Sequence, residues 1–220
     1  MIRKSFLFLS AFTLSSCSVL DNDNIAPGYK EAYQAISNLV FGYQDSFITT
    51  DLINNIPYAS STLTIGKGPK GLIILESKVG EKYIWTSADG VYLTISNGRI
   101  IETSGLSNNL VNVVDPFNGK SFPEYLDTNI YKYYYSYDRP ALNNLELEVT
   151  LVEDGREEIS ILDTTRDLRV LSEFIENKEI GWKVENKYWV DKNMFVWKSE
   201  QHISPKIPKL VIEVTKKPSL

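Results

Sequence analysis

The sequence predicts a mainly β protein: an antiparallel meander forming a barrel, half-barrel or sandwich, with one N-terminal amphipathic helix packed on it. Three observations carry this. Short alternating segments recur with turn signals between them. Their connections are too short for the crossover helices that parallel strands need. Thirteen Tyr, nine Phe and four Trp in 220 residues supply the large, strand-favouring side chains that such a fold buries.

The chain opens with a short basic region, Arg3 and Lys4, followed by the apolar stretch Phe6–Leu14. A membrane-spanning helix needs about 20 apolar residues, so this stretch has the length of a signal peptide's apolar region. Leu14-Ser15-Ser16-Cys17 follows, an aliphatic residue and two small ones before a cysteine, which resembles the bacterial lipobox. Residues 1–16 are therefore read as a lipoprotein signal peptide and 17–27 as a lipidated, turn-rich tether. Residues 28–220 form a single β-rich domain. Cys17 is the lone cysteine, so no internal disulfide is available, and lipidation accounts for an odd cysteine in an exported chain. Acyl chains such as palmitate on Cys17 would hold the protein to a membrane. Ser18 after the cysteine resembles the outer-membrane sorting pattern.

The helix is predicted over Tyr29–Phe41, where Tyr29, Ala32, Tyr33, Ile36, Leu39 and Val40 recur at helical spacing after Pro27-Gly28. Strands are predicted at Ser60–Ile65, Leu72–Lys78, Lys82–Ser87, Val91–Ser96 and Arg99–Thr103. The loop Gly66–Gly71, Val79-Gly80-Glu81, Ala88-Asp89-Gly90 and Asn97-Gly98 separate them. Asn-Gly between alternating hydrophobics signals a type I′ hairpin, whose two central residues need positive φ. Residues 104–128 read as a long loop with a short helical turn at Leu106–Val111. Strands resume at Ile130–Tyr137, Leu145–Glu153 and Glu157–Leu162, with a turn at Asp154-Gly155. Leu168–Ile175, Lys183–Val190, Phe195–His202 and Leu210–Lys216 complete the set.

Charge and residue types exclude several classes of function. The net charge is −5, and losing Arg3 and Lys4 with the leader leaves 21 basic against 28 acidic side chains, near −7. An acidic chain without a basic stripe is not expected to bind nucleic acid. One histidine, His202, and no Gly-x-Ser-x-Gly elbow argue against a Ser–His nucleophile. His, Cys and carboxylate spacings fit no metal site and call for no cofactor. Glu76, Asp89, Glu124 and Asp163 are carboxylates that a glycosidase pair would need, but nothing singles any of them out. Trp85, Trp182, Trp189 and Trp197 read as core or barrel-lining residues. The segment Ile130–Asp138 is the most unusual: in a strand, Tyr131, Tyr133, Tyr135 and Tyr137 share one face. That row reads either as core packing or as a platform that stacks sugar rings.

Several segments together resemble the YjbF/GfcB capsule lipoproteins. They are Ile56–Ser60, Tyr83–Asp89, Thr94–Ile100, Gly105–Leu110, Tyr188-Trp189-Val190-Asp191 and the Pro208–Pro218 end. The resemblance implies a barrel-like lipoprotein of the outer membrane, facing the periplasm and working with components of group 4 capsule or exopolysaccharide export. It carries over no catalytic residue; Cys17 is the one position it defines. The chain departs from the pattern in its 104–128 and 139–144 loops and in its tyrosine-rich strand. The expected role is a non-enzymatic accessory factor in polysaccharide secretion, binding an export protein or the glycan. The alternative is a half-barrel that carries or senses a lipid or other hydrophobic ligand.

Overall fold

The computed structural model describes residues 48–114 and 130–218. The predicted helix Tyr29–Phe41 lies outside them. One short helix, α1 (Thr50–Asn55), leads into the sheet. Thr49 caps it, its hydroxyl accepting from the Leu52 N–H at 3.3 Å, and Asp51 sits in the first turn, where the helix dipole favours negative charge. The Thr50 hydroxyl also donates to the Asp163 carboxylate, which fixes where the chain enters the fold.

Twelve strands follow. The first five are β1 (Ser60–Ile65), β2 (Gly71–Val79), β3 (Lys82–Ser87), β4 (Tyr92–Ser96) and β5 (Arg99–Ser104). Then come β6 (Leu110–Val114), β7 (Tyr131–Asp138), β8 (Ala141–Ile161) and β9 (Thr164–Asn177). The last three are β10 (Trp182–Val190), β11 (Val196–Gln201) and β12 (Leu210–Lys216). They form one antiparallel sheet in the order β5-β4-β3-β2-β1-β12-β11-β10-β9-β8-β7-β6. The meander therefore runs outward from β1 to β5, then from β6 around to β12, which pairs back on β1. The two free edges, β5 and β6, are consecutive in the chain and close the nearly complete barrel. A side chain bridges this seam: the Leu110 N–H donates to Thr103 Oγ1 at 2.9 Å.

β1, β3 and β12 have the bounds that their alternation predicts. Asn97 and Gly98 have φ of 49° and 82°, the positive pair that a type I′ turn requires. A Cβ at residue 98 would lie 2.2 Å from Val196 Cγ2, so glycine is needed for space as well as for φ.

Two expectations are corrected. Leu106–Val111 is not a helical turn: bends at 105–108 run into β6, with the Leu106 N–H donating to Asn109 Oδ1 at 2.9 Å. Leu145–Glu153 and Glu157–Leu162 are not two strands joined by a turn. They belong to the single 21-residue β8, and Asp154-Gly155 forms a bulge against β9, with Gly155 at φ 103°. Positive φ at glycine serves bulges as readily as turns.

Alternation sends one side of every strand inward. The main interior cluster draws on every strand except β11; Leu93, Ile100, Leu110, Leu147 and Leu210 are completely buried in it. The inward residues of β11 are polar, Ser199 and Gln201, and both are buried.

Candidate functional site

Those two polar side chains belong to a network across the barrel interior. The Asn97-Gly98 turn delivers Arg99 to the start of β5, and its side chain reaches the carboxylate of Glu173 on β9 in a buried ion pair. Arg99 Nη1 also donates to the Tyr133 hydroxyl on β7 at 2.9 Å. Glu173 Oε2 accepts from the Tyr188 hydroxyl at 2.9 Å and from Asn186 Nδ2 at 3.0 Å, both on β10. Gln201 joins the network to the hairpin. Its Oε1 accepts the Ile100 N–H at 2.9 Å, and its Nε2 donates to the Gly98 carbonyl and to Ser199 Oγ, each at 2.9 Å.

Burial opposes the Arg99 charge, but the field of Glu173, with those of three tyrosines, more than offsets it and raises the guanidinium above its ordinary value. Burial, then Glu173, holds the Tyr188 hydroxyl protonated well above the usual phenol range. Burial does the same for Tyr135 and Tyr137. A buried ion pair repays its desolvation only when its remaining hydrogen-bonding capacity is met. Here the carboxylate accepts from a guanidinium, a phenol and an amide, so the network braces β5 against β7, β9, β10 and β11.

Above this brace, at the end carrying the β2–β3 and β4–β5 hairpins, a pocket of about 400 Å³ opens into the barrel. The opposed pair Tyr83 and Ile95, with Trp85, Ile212 and Val214, form its walls. The β10–β11 loop forms one side of the mouth and is built around Asp191. Asp191 Oδ1 accepts from the N–H groups of Asn193 (2.8 Å) and Phe195 (3.0 Å), and its Oδ2 accepts from Trp197 Nε1 (3.0 Å). Ser199, tied to the brace through Gln201, lines the pocket, as does Ser61 on β1.

The residues singled out from sequence fall as follows. Cys17 lies outside the described residues. Tyr133, Tyr135 and Tyr137 are buried in the interior cluster, with Tyr131 packed against it, so the row lines the barrel and does not form a surface platform. The Tyr137 hydroxyl is already committed to the Ile203 carbonyl at 3.0 Å. Trp85 and Trp182 are core, while Trp189 belongs to a separate cluster with Leu168, Val170 and the partly buried Trp197. His202 is half-buried, its Nδ1 3.1 Å from the Glu185 carbonyl, and burial lowers its pKa. Glu76, Asp89 and Asp163 are exposed and lie on different hairpins; Glu124 lies outside the described residues. No group of His, Cys, Asp and Glu able to hold a metal occurs among the described residues.

Arg99, Glu173, Asn186 and Gln201 were missed from sequence. The available signal was a polar residue at an inward position, as in Leu171-x-Glu173-x-Ile175.

Residues 33–215 match the family model described as "Group 4 capsule polysaccharide lipoprotein gfcB, YjbF". The chain belongs to this family. Among curated relatives, the uncharacterized lipoprotein YjbF of Escherichia coli K12 is 23% identical over 213 residues, covering 92% of each chain. The uncharacterized lipoprotein GfcB of the same strain is 28% identical over 109 residues, 50% of this chain and 45% of GfcB. The crystal structure of the E. coli hypothetical lipoprotein YmcC superposes with a TM-score of 0.69 at 21% identity, covering 85% of this chain and 96% of that one. That likeness bears on the fold: the nearly closed twelve-stranded barrel is shared. The segments that carry the resemblance to the capsule lipoproteins are structural here. Asn97-Gly98-Arg99 makes the hairpin that launches the brace, Tyr188 hydrogen-bonds to Glu173, and Asp191 organises the mouth loop.

Proposed function

We propose that this chain is a lipid-anchored envelope protein that acts as a non-enzymatic accessory factor in capsule or exopolysaccharide secretion. It would be held in the outer membrane by acyl chains on Cys17, with the barrel facing the periplasm. The observation that carries the reading is the match to the capsule lipoprotein family over residues 33–215. The interior supports a binding role. Its most polar residues, Arg99, Glu173, Tyr188 and Gln201, are engaged with one another in bracing the barrel. With the tyrosine row turned inward, a protein of the export machinery is the favoured partner over the glycan itself.

Co-purification from detergent-solubilised membranes tests this. The full-length, lipidated protein is expected to retain components of the polysaccharide export apparatus, and a Cys17→Ala form to lose them. Retention of no export component would count against the reading, as would turnover of the native polysaccharide by the purified protein.

A further inference from the structure

We infer, on the basis of the export role proposed above, that the mouth pocket and the cationic rim beside it dock an acidic segment of a partner protein, one apolar side chain of which enters the pocket. Charge at this rim is divided unevenly. Two of its carboxylates are engaged by indoles of the protein itself. Glu157 Oε2 accepts from Trp189 Nε1 at 2.8 Å, and Asp191 accepts from Trp197 Nε1 and from two backbone N–H groups of its own loop.

The cations are not matched in the same way. Half-buried Arg166 stacks its guanidinium 3.9 Å from the centre of the Trp197 ring, and among the described residues it donates only to the Thr164 carbonyl, at 3.5 Å. Burial lowers its pKa, and no carboxylate offsets the effect. Exposed Lys217 holds its ammonium 4.2 Å from the centre of Phe195, whose ring meets Trp197 edge-on at 5.0 Å. Lys192 is exposed beside Asp191 in the β10–β11 loop. None of these three cations makes an ion pair among the described residues. Lys198, over the Trp189 ring, has only long contacts, 3.9 Å to Glu200 and 3.7 Å to Glu213. Glu81 in the β2–β3 turn is the carboxylate that lines the pocket. A positive rim on a chain whose net charge is −5 favours an anionic partner.

The surroundings favour a protein over a glycan. Tyr83, Met194, Phe195 and Trp197 line the pocket, and with Arg166 they are the residue types enriched where protein surfaces meet. Lys217 and Arg166 already occupy a face of Phe195 and of Trp197, which removes stacking surface from a sugar. The walls Ile95, Ile212 and Val214 would leave sugar hydroxyls without partners. A cavity of about 400 Å³ accepts a large apolar side chain, the kind of central anchor on which interfaces depend.

The test compares full-length variants in detergent-solubilised membranes, with the retained export proteins quantified by mass spectrometry. Arg166→Glu with Lys217→Glu should lower the retained amount about tenfold or more, because like charges then face the acidic segment. Lys192→Glu with Lys217→Glu changes two exposed positions, so it should lower retention without moving the melting temperature. Asn193→Trp, at an exposed loop position on the pocket mouth, should block insertion and do the same. Arg166→Lys with Lys217→Arg keeps the charges and should retain the partner, and rising salt should release it from the wild type. Export proteins retained equally by the wild type and by all the altered chains would overturn this inference and leave the export role standing. No export protein retained by the wild type would remove the export role and this inference with it. Purified polygalacturonate bound by the wild type and lost in the same variants would assign the surface to an acidic glycan and overturn the protein partner.

Discussion

Two residues carry more of the structure than their neighbours. Gly98 holds the β4–β5 turn at positive φ directly against Val196. Gly98→Val therefore combines a strained backbone, about 1–3 kcal/mol, with a clash in a packed site, about 1–3 kcal/mol. The denaturation midpoint should fall by an amount near the sum of the two. Gly155→Ala makes a control, because its φ is 103° but nothing lies within 4 Å of the added Cβ, so only the backbone cost remains. Equal losses for the two would show that space at Gly98 does not matter. Glu173 is the second residue. Removing it leaves the Arg99 guanidinium buried without its carboxylate, which costs about 3–5 kcal/mol. The double replacement Arg99→Met with Glu173→Leu should cost less than Glu173→Leu alone, since it removes the charge as well as its partner. A double-mutant cycle that comes out additive would mean the pair is not coupled.

At the scale of elements, the seam between β5 and β6 is where the barrel is held by side chains instead of a ladder. Thr103→Val keeps the shape but removes the acceptor for the Leu110 N–H. The expected loss is about 1–3 kcal/mol, that of a buried donor left unmade, and amide exchange at Leu110 should quicken. Unchanged exchange there would mean the seam is held in another way. The strands themselves were largely legible in sequence, because alternation and turn residues are local signals; β1, β3 and β12 follow their pattern to the residue. The continuity of β8 was not legible, because Asp154-Gly155 carries the same chemistry whether the chain turns or bulges. The strand β6 was hidden for another reason: Leu110–Val114 alternates over too few residues to stand out from the Ser/Asn-rich stretch before it. The site was the least legible part. Arg99, Glu173 and Gln201 meet only once the meander closes on itself, and each taken alone is an ordinary polar residue in a strand. The tyrosine row could be placed on one face from sequence, but which face is inward depends on that closure.

As a whole molecule, the protein is a meander barrel braced by one polar network, with its chain entry and its pocket at the same end. Thr50 is bonded to Asp163 in the β8–β9 turn, and Lys216 Nζ donates to the Ile56 carbonyl at 2.6 Å, so the segment leading from the N-terminus meets the barrel beside the hairpin mouth. The proposed role, service in polysaccharide secretion without catalysis of its own, is open to test in cells. The most direct measurement is the amount of polysaccharide on the surface of cells lacking the gene, set against polymer retained inside. Surface polymer should fall while retained polymer does not. The wild-type chain should restore it, as should the Glu76→Gln, Asp89→Asn and Asp163→Asn variants, and a Cys17→Ala chain should not. Surface polysaccharide unchanged by the deletion, or restored in full by the Cys17→Ala chain, would contradict it.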